Sequence, residues 1–225
     1  MQSSLFPSSE KREKEFGPIL EDINQLKGHP IKSTIDQRMK EFESVGSSGS
    51  EGIFSELCFC FMTANFSAAG GMKIQNAIGN GFFNLNEGDL AKKLAELGHR
   101  FPNARAKYVV ESRAKKDELI KMLKEIDDDL ILREWIVKNI KGVGMKEASH
   151  FLRNIGYKNL AIIDFHIIDL LVKHNLVEEP KSKSLTPKKY LEIENVLGEI
   201  SRRSGLHLGE LDLYLWYLET GKVLK

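Results

Sequence analysis

The chain is poor in proline, with 6 in 225 residues, about half the usual ~5%. That disfavours a turn-rich sandwich or barrel and favours long helices. It has only 2 cysteines, Cys58 and Cys60, too few for a disulfide framework or a four-cysteine metal cluster. Separated by one residue inside an apolar run, they suit buried free thiols in a reducing compartment. An excess of one charge is also missing: 33 basic against 32 acidic side chains leave +1. Any nucleic-acid partner would therefore be held by a local basic face and backbone amides, not by a global field. No run of about 18 apolar residues occurs and the stretch up to Lys14 is polar, so neither a membrane span nor a signal peptide is expected. What is present is hydrophobic mass, 41% of residues, in a chain long enough to bury a sizeable core.

Apolar residues recur at helical spacing nearly throughout, as in Ile31, Ile35, Met39 and Phe42, or Leu119, Met122, Leu123 and Ile126. Alternation at period two is nowhere sustained, so the expected class is all-α, with about nine to twelve helices. Ile53 to Met62 (IFSELCFCFM) is apolar on nearly all sides and reads as a central core helix. Ser50 is its expected cap.

One segment stands apart. From Trp135 to Gly156 (WIVKNIKGVGMKEASHFLRNIG), a helix runs into Gly142-Val143-Gly144 and a second helix starts at once. Glycines at such a turn let successive amides point outwards, and with the next helix N-terminus they make a cradle for a phosphate. An ordinary αα-hairpin would show the same Gly-Val-Gly link. Lys146 falls in the first turn of the second helix, where the positive helix end disfavours an ammonium. An amine nucleophile needs such help, because an unperturbed lysine is neutral only about once in two thousand at pH 7. A lysine that contacts a phosphate would occupy the same place. Asp164 follows 18 residues later, where the apolar run Ala161-Ile162-Ile163 delivers a carboxylate to the start of another helix. It suits a helix cap equally well.

Taken together, the hairpin, the lysine just past it, Gly156, the apolar approach and Asp164-Phe165-His166 resemble the helix-hairpin-helix DNA glycosylases. The proline of that family's loop is replaced here by Tyr157-Lys158-Asn159. A hairpin lysine is similar to that of the bifunctional members, and the lack of cysteine after Cys60 excludes the iron-sulfur members. Phe59 to Gln75, His99 to Arg113 and the terminal LDLYLWYLETGKVLK resemble the second, compact class of 8-oxoguanine DNA glycosylases.

That resemblance implies a two-lobed fold with the active site in the cleft between the lobes. It also implies Lys146 as the nucleophile at the sugar C1′ and Asp164 as the carboxylate that assists it. Phe101 and Trp216 would sandwich the flipped base, Asn65 would fill the gap it leaves, and the free carboxylate of Lys225 would help tell 8-oxoguanine from guanine. His150, on the helical face of Lys146, would line the pocket, or pack at the surface. Gly142, Gly144 and His166 would meet DNA phosphates, with Arg105, Lys107 and Lys141 as further candidates that could equally be solvated. From the residues alone, Asn65 reads equally as a helix C-cap and Phe101 or Trp216 as core.

The expected division is residues 1–52 with 167–225 as one discontinuous lobe, and 53–166 as the other, containing the hairpin at 135–156. The expected activity is excision of 8-oxoguanine from duplex DNA through a lysine Schiff base, followed by β-elimination. Alternatives are the same fold acting on another damaged base, or a non-catalytic DNA-binding module. No metal or cofactor is expected. The expected form is a monomer acting on double-stranded DNA in a prokaryotic cytoplasm, without membrane contact.

Overall fold

The computed structural model describes residues 9–225 apart from 181 and 183, with side chains from Glu15 onward. Among the described residues there are thirteen helices and no strand. They are α1 (Ser9–Lys27), α2 (Ile31–Gly46), α3 (Ser50–Thr63), α4 (Ala68–Ile78), α5 (Gly81–Asn84), α6 (Glu87–Glu96), α7 (Pro102–Arg113), α8 (Lys116–Glu125), α9 (Asp129–Asn139), α10 (Met145–Asn154), α11 (Phe165–Lys173), α12 (Pro187–Ser204) and α13 (Leu208–Thr220). The count exceeds the expected nine to twelve. The four-residue α5 is too short to show an apolar period, and periodicity is what the sequence count rests on.

The chain divides into two compact units. One comprises residues 38–160 with Leu224 and Lys225. Its centre is α3, in which every residue from Glu56 to Thr63 is buried. Helices α4, α7, α8 and α10 pack against α3, so a helix that is apolar all round has neighbours all round. Its cap differs from expectation: Gly49, at φ 87°, occupies the N-cap and Ser50 is already helical, with no side-chain cap bond. The Ser48 hydroxyl donates to Val45 O at 2.6 Å.

The other unit comprises the described residues up to 37 with Ala161–Val223. Here α11 packs on α13, and α1 packs on both α12 and α13. Helix α12 starts well specified: Thr186 accepts from Lys189 N at 3.2 Å, and Pro187 opens the helix where no amide is needed.

The boundaries fall at 37/38 and 160/161, where the sequence suggested 52/53 and 166/167. The reason lies in the second half of α2, which is held by the end of α10. A Cβ on Gly46 would lie 2.2 Å from Ile155 O, and one on Gly156, at φ 102°, would lie 3.3 Å from Glu43 Cα. Such backbone approach is open only to glycine. Lys158 then pairs with Glu43 at 2.6 Å, and Arg153 lies over the Phe42 ring at 4.5 Å.

Candidate active site

The hairpin forms as its pattern requires. Ile136 and Ile140 on one side and Ala148, Phe151 and Leu152 on the other are all buried, and Val143 at the turn is buried with them. Gly142 has φ 85°, and a Cβ there would come within 2.4 Å of the Tyr108 ring, so both the backbone and the space demand glycine. Gly144 differs. Its φ of −97° is open to any residue, and its N–H already donates to Glu147 Oε2 at 3.3 Å, a carboxylate reaching back from the first turn of α10. Only one of the two glycines is therefore conformationally obligatory, and the amide of the other is engaged by Glu147 instead of pointing outwards. The loop that follows lacks the family's proline but is tied down otherwise: the Tyr157 hydroxyl donates to Leu123 O at 3.1 Å, and Asn159 bonds the Asp129 carboxylate.

Lys146 is half-buried in the first turn of α10. One turn later His150 is buried, not a surface histidine, with its ring edge-on to Phe59 at 5.6 Å between centroids. Its imidazole is held well below the usual histidine range, first by burial and then by the cations Lys146, Arg153 and Lys225, against a hydrogen bond with the Lys225 backbone. The ring is neutral, and its Nδ1 has no hydrogen-bond partner.

The end of the chain lies in this same unit. Lys225 Nζ is 2.7 Å from Glu56 Oε2 and 4.4 Å from the centre of the Phe59 ring. Glu56 is 2% exposed and also accepts from Asn154 Nδ2 at 2.7 Å and Gln75 Nε2 at 3.4 Å. Sequence reasoning missed Glu56. A signal was present, since it is the only charge between Glu51 and Lys73 in a run that buries itself, and a buried carboxylate needs a cation and donors. That the cation would come from the last residue is not written in the spacing.

Asn65 sits just past the end of α3, exposed, at φ 57°, a left-handed conformation that asparagine tolerates better than most residues. Phe101 is 40% exposed at the start of α7, with the Arg100 guanidinium 5.2 Å from its ring centre. Its N–H donates to His99 Nδ1 at 3.0 Å, and His99 Nε2 lies 3.0 Å from Met62 O, so the Nδ1 lone pair is committed and Nε2 carries the proton. Burial lowers the pKa of His99, which keeps that tautomer neutral. Arg105 is not available to phosphate: it is buried and donates to Ala64 O at 2.7 Å. Lys107 and Lys141 share Glu111, at 4.0 and 3.3 Å.

In the other unit, Asp164 caps α11, accepting from Ile167 N at 3.1 Å through Oδ1. His166 is exposed and stands edge-on to Trp216, 4.6 Å between centroids. Trp216 is half-buried, and its Nε1 is buried without a partner. Lys146 and Asp164 thus belong to different units. Among the described residues no three His, Cys, Asp or Glu side chains converge as metal ligands. None of the described helices is long and apolar enough to cross a membrane.

The model of a family described as 8-oxoguanine DNA glycosylase matches residues 35–206. The chain is 56% identical over 207 residues to a Korarchaeum cryptofilum protein named 8-oxoguanine DNA glycosylase/AP lyase, covering 92% of this chain and 98% of that one. It is similar to the crystal structure of the Methanocaldococcus jannaschii 8-oxoguanine glycosylase/lyase in complex with a 15mer DNA containing 8-oxoguanine. The TM-score is 0.88 at 48% identity, over 92% of this chain and 99% of that one. The Thermotoga maritima 8-oxoguanine DNA glycosylase gives a TM-score of 0.87 at 42% identity, over 93% and 100%.

Proposed function

The chain belongs to the 8-oxoguanine DNA glycosylase family, and on that premise we propose that it excises 8-oxoguanine from duplex DNA and then cleaves the strand at the abasic site. The observation that carries this reading is Lys146 in the first turn of α10, directly after the Gly142-Val143-Gly144 turn. A strand-cleaving glycosylase needs an amine held where a hairpin meets DNA. The complex of the Methanocaldococcus jannaschii relative with DNA containing 8-oxoguanine supports the substrate.

In this mechanism Lys146 Nζ attacks C1′ of the damaged nucleotide as the N9–C1′ bond breaks, its electron pair leaving with the purine. C1′ gains positive charge on the way, and the Asp164 carboxylate stabilises it. Asp164 also takes the proton that the amine sheds. The sugar then opens: C1′–O4′ breaks, O4′ takes a proton, and a C1′=N imine forms with Lys146. The imine acidifies the 2′ hydrogen, and its removal expels the 3′ phosphate by β-elimination. No step calls for a metal or a redox partner.

The remaining assignments follow the same reading. Phe101 and Trp216 stack on the extruded base, each such contact being worth ~1 to 3 kcal/mol, and Asn65 fills the vacated stack. The Lys225 carboxylate accepts the N7 hydrogen that 8-oxoguanine has and guanine lacks. Here the ion pair with Glu56 and the contact with Phe59 fix the terminal residue, and buried, neutral His150 packs beside it. His166 and the backbone at Gly142 and Gly144 meet phosphates, with Glu147 yielding the Gly144 amide when DNA binds. The protein acts as a monomer on chromosomal DNA in a prokaryotic cytoplasm.

The test is borohydride trapping on a labelled duplex carrying 8-oxoguanine opposite cytosine, with Lys146→Gln and an undamaged duplex as controls. A covalent adduct on the lesion duplex that Lys146→Gln abolishes is the expected result. Folded protein that shifts the duplex in a gel but gives no adduct would refute Lys146 as the nucleophile on this substrate.

A further inference from the structure

Asp164 is preceded by a stretch of chain that has neither a helix nor a sheet to satisfy it. Leu160, Ala161, Ile162 and Ile163 are all buried and lie outside any helix or strand. Buried backbone of that kind must find partners elsewhere. Within the unit that contains Asp164, side chains of α12 supply three of the bonds. Glu194 Oε1 accepts the Ala161 N–H at 3.0 Å, and the Tyr190 hydroxyl donates to Ala161 O at 2.7 Å. The same hydroxyl oxygen accepts the Ile163 N–H at 3.4 Å. Three bonds thus fall on two of the three residues immediately before the carboxylate, Ala161 and Ile163, and Tyr190 and Glu194 are themselves buried, at 3% and 8% exposure. They are one helical turn apart on α12, so a single face of that helix grips the segment.

Resting on the catalytic role proposed for Asp164, we propose that Tyr190 and Glu194 are positioning residues that set where its carboxylate stands. The cap at Ile167 fixes Asp164 from its C-terminal side, and the grip of α12 fixes it from its N-terminal side. A carboxylate that stabilises a transient cation works only at short range and in a set direction. A displacement of the order of 1 Å in such a group lowers the rate by about 10- to 100-fold. The apolar pattern of 160–163 explains why this segment is buried, and the two α12 side chains explain why it is buried in one place.

The test compares single-turnover excision of 8-oxoguanine with borohydride trapping at a preformed abasic site in the same duplex. It uses the full chain as wild type, Tyr190→Phe, Glu194→Leu, Glu194→Gln and Asp164→Asn. At a preformed abasic site no glycosidic bond has to break, so trapping depends less on the cation-stabilising carboxylate than excision does. Tyr190→Phe and Glu194→Leu should lower the excision rate constant by about 10- to 100-fold and shift the ratio of excision to trapping in the same direction as Asp164→Asn. Glu194→Gln keeps an acceptor oxygen for Ala161 N–H and should stay near wild type. A merely structural role would lower the active fraction, or reduce excision and trapping in proportion, and either pattern overturns the proposal, as does wild-type excision in both Tyr190→Phe and Glu194→Leu. A wild type that does not excise 8-oxoguanine overturns the functional reading itself. A wild type that excises, with Asp164→Asn inactive and the α12 variants unchanged, overturns only the positioning role.

Discussion

Lys146 and Asp164 are presented by opposite devices. The lysine stands on a turn whose shape is written into consecutive residues: Gly142 at φ 85°, buried Val143, and a helix that begins at Met145 with Glu147 closing its first turn. The aspartate ends a buried segment outside any helix or strand, in which the backbone of Ala161 and Ile163 is bonded from α12, about 30 residues further along the chain. One device is local and tolerates change elsewhere. The other has no geometry of its own until α12 is in place. A turn can be specified by sterics, whereas a buried segment with neither helix nor sheet can only be specified by its partners.

The strongest way to break this contrast is at the two groups themselves. Lys146→Gln should abolish adduct trapping and strand cleavage and lower excision by about 10³-fold or more, with little change in melting temperature because the side chain is only half-buried. Full strand cleavage by this variant would remove the lysine from the chemistry. Next, Asp164→Asn should lower excision by about 10² to 10³ while leaving stability nearly intact, since asparagine caps a helix as well as aspartate does. Asp164→Ala should add a stability loss of about 1 kcal/mol. If Asn and Ala proved equally destabilised in urea melts, the cap bond to Ile167 would not be the one that matters.

The local character of the lysine's device is sharpened by its two glycines. Gly142→Ala must adopt a positive φ and push aside the Tyr108 ring, at a cost of about 2 to 4 kcal/mol. Gly144→Ala meets only the flexible end of Glu147, at 3.1 Å, in an ordinary backbone conformation, and should cost under about 1 kcal/mol. Denaturant midpoints with equal losses would show that the turn is held by something other than Gly142.

A further prediction concerns pH. The folded protein keeps His150 neutral, because burial and then Lys146, Arg153 and Lys225 hold its pKa well below the usual value. The unfolded chain protonates it below about pH 6.5. The unfolded state therefore binds more protons there, and stability falls as pH drops through that value, by up to about 1.4 kcal/mol per unit, until the folded pKa is reached. Above about pH 6.5 the group contributes no slope. Urea midpoints at pH 7 and pH 5 should fall less in His150→Gln than in wild type; an equal fall would place the acid sensitivity elsewhere, His99 being the next neutral, buried ring.

Much of this was legible in the residues, and what was not has a common cause. The all-helical class, the buried α3 and the hairpin follow from periodicity and glycine placement over short spans. Ser50 was misread as a cap because the same short polar run offers Gly49, which reaches φ 87° without strain. Arg105, by sequence a candidate phosphate contact or a solvated side chain, is neither; nothing in the sequence says that Ala64 O is left over at the end of α3 and needs a donor. Glu56 was passed over because its cation is the last residue of the chain.

The sequence by itself determined the helices, the glycine-flanked turn at 142–144, the position of Lys146 in a first turn and that of Asp164 at a cap. These depend on φ preferences, on the 3.6-residue period and on capping, all of which act within a few residues. The tertiary structure decided where the chain divides, what neutralises Glu56, which ring nitrogen of His99 carries the proton, and how 161–163 is held. The first depends on close backbone approach at Gly46 and Gly156; each of the others is a buried polar group whose partner is distant in the chain, and the cost of leaving such a group unpaired is felt only once folding has removed the water that would otherwise have satisfied it.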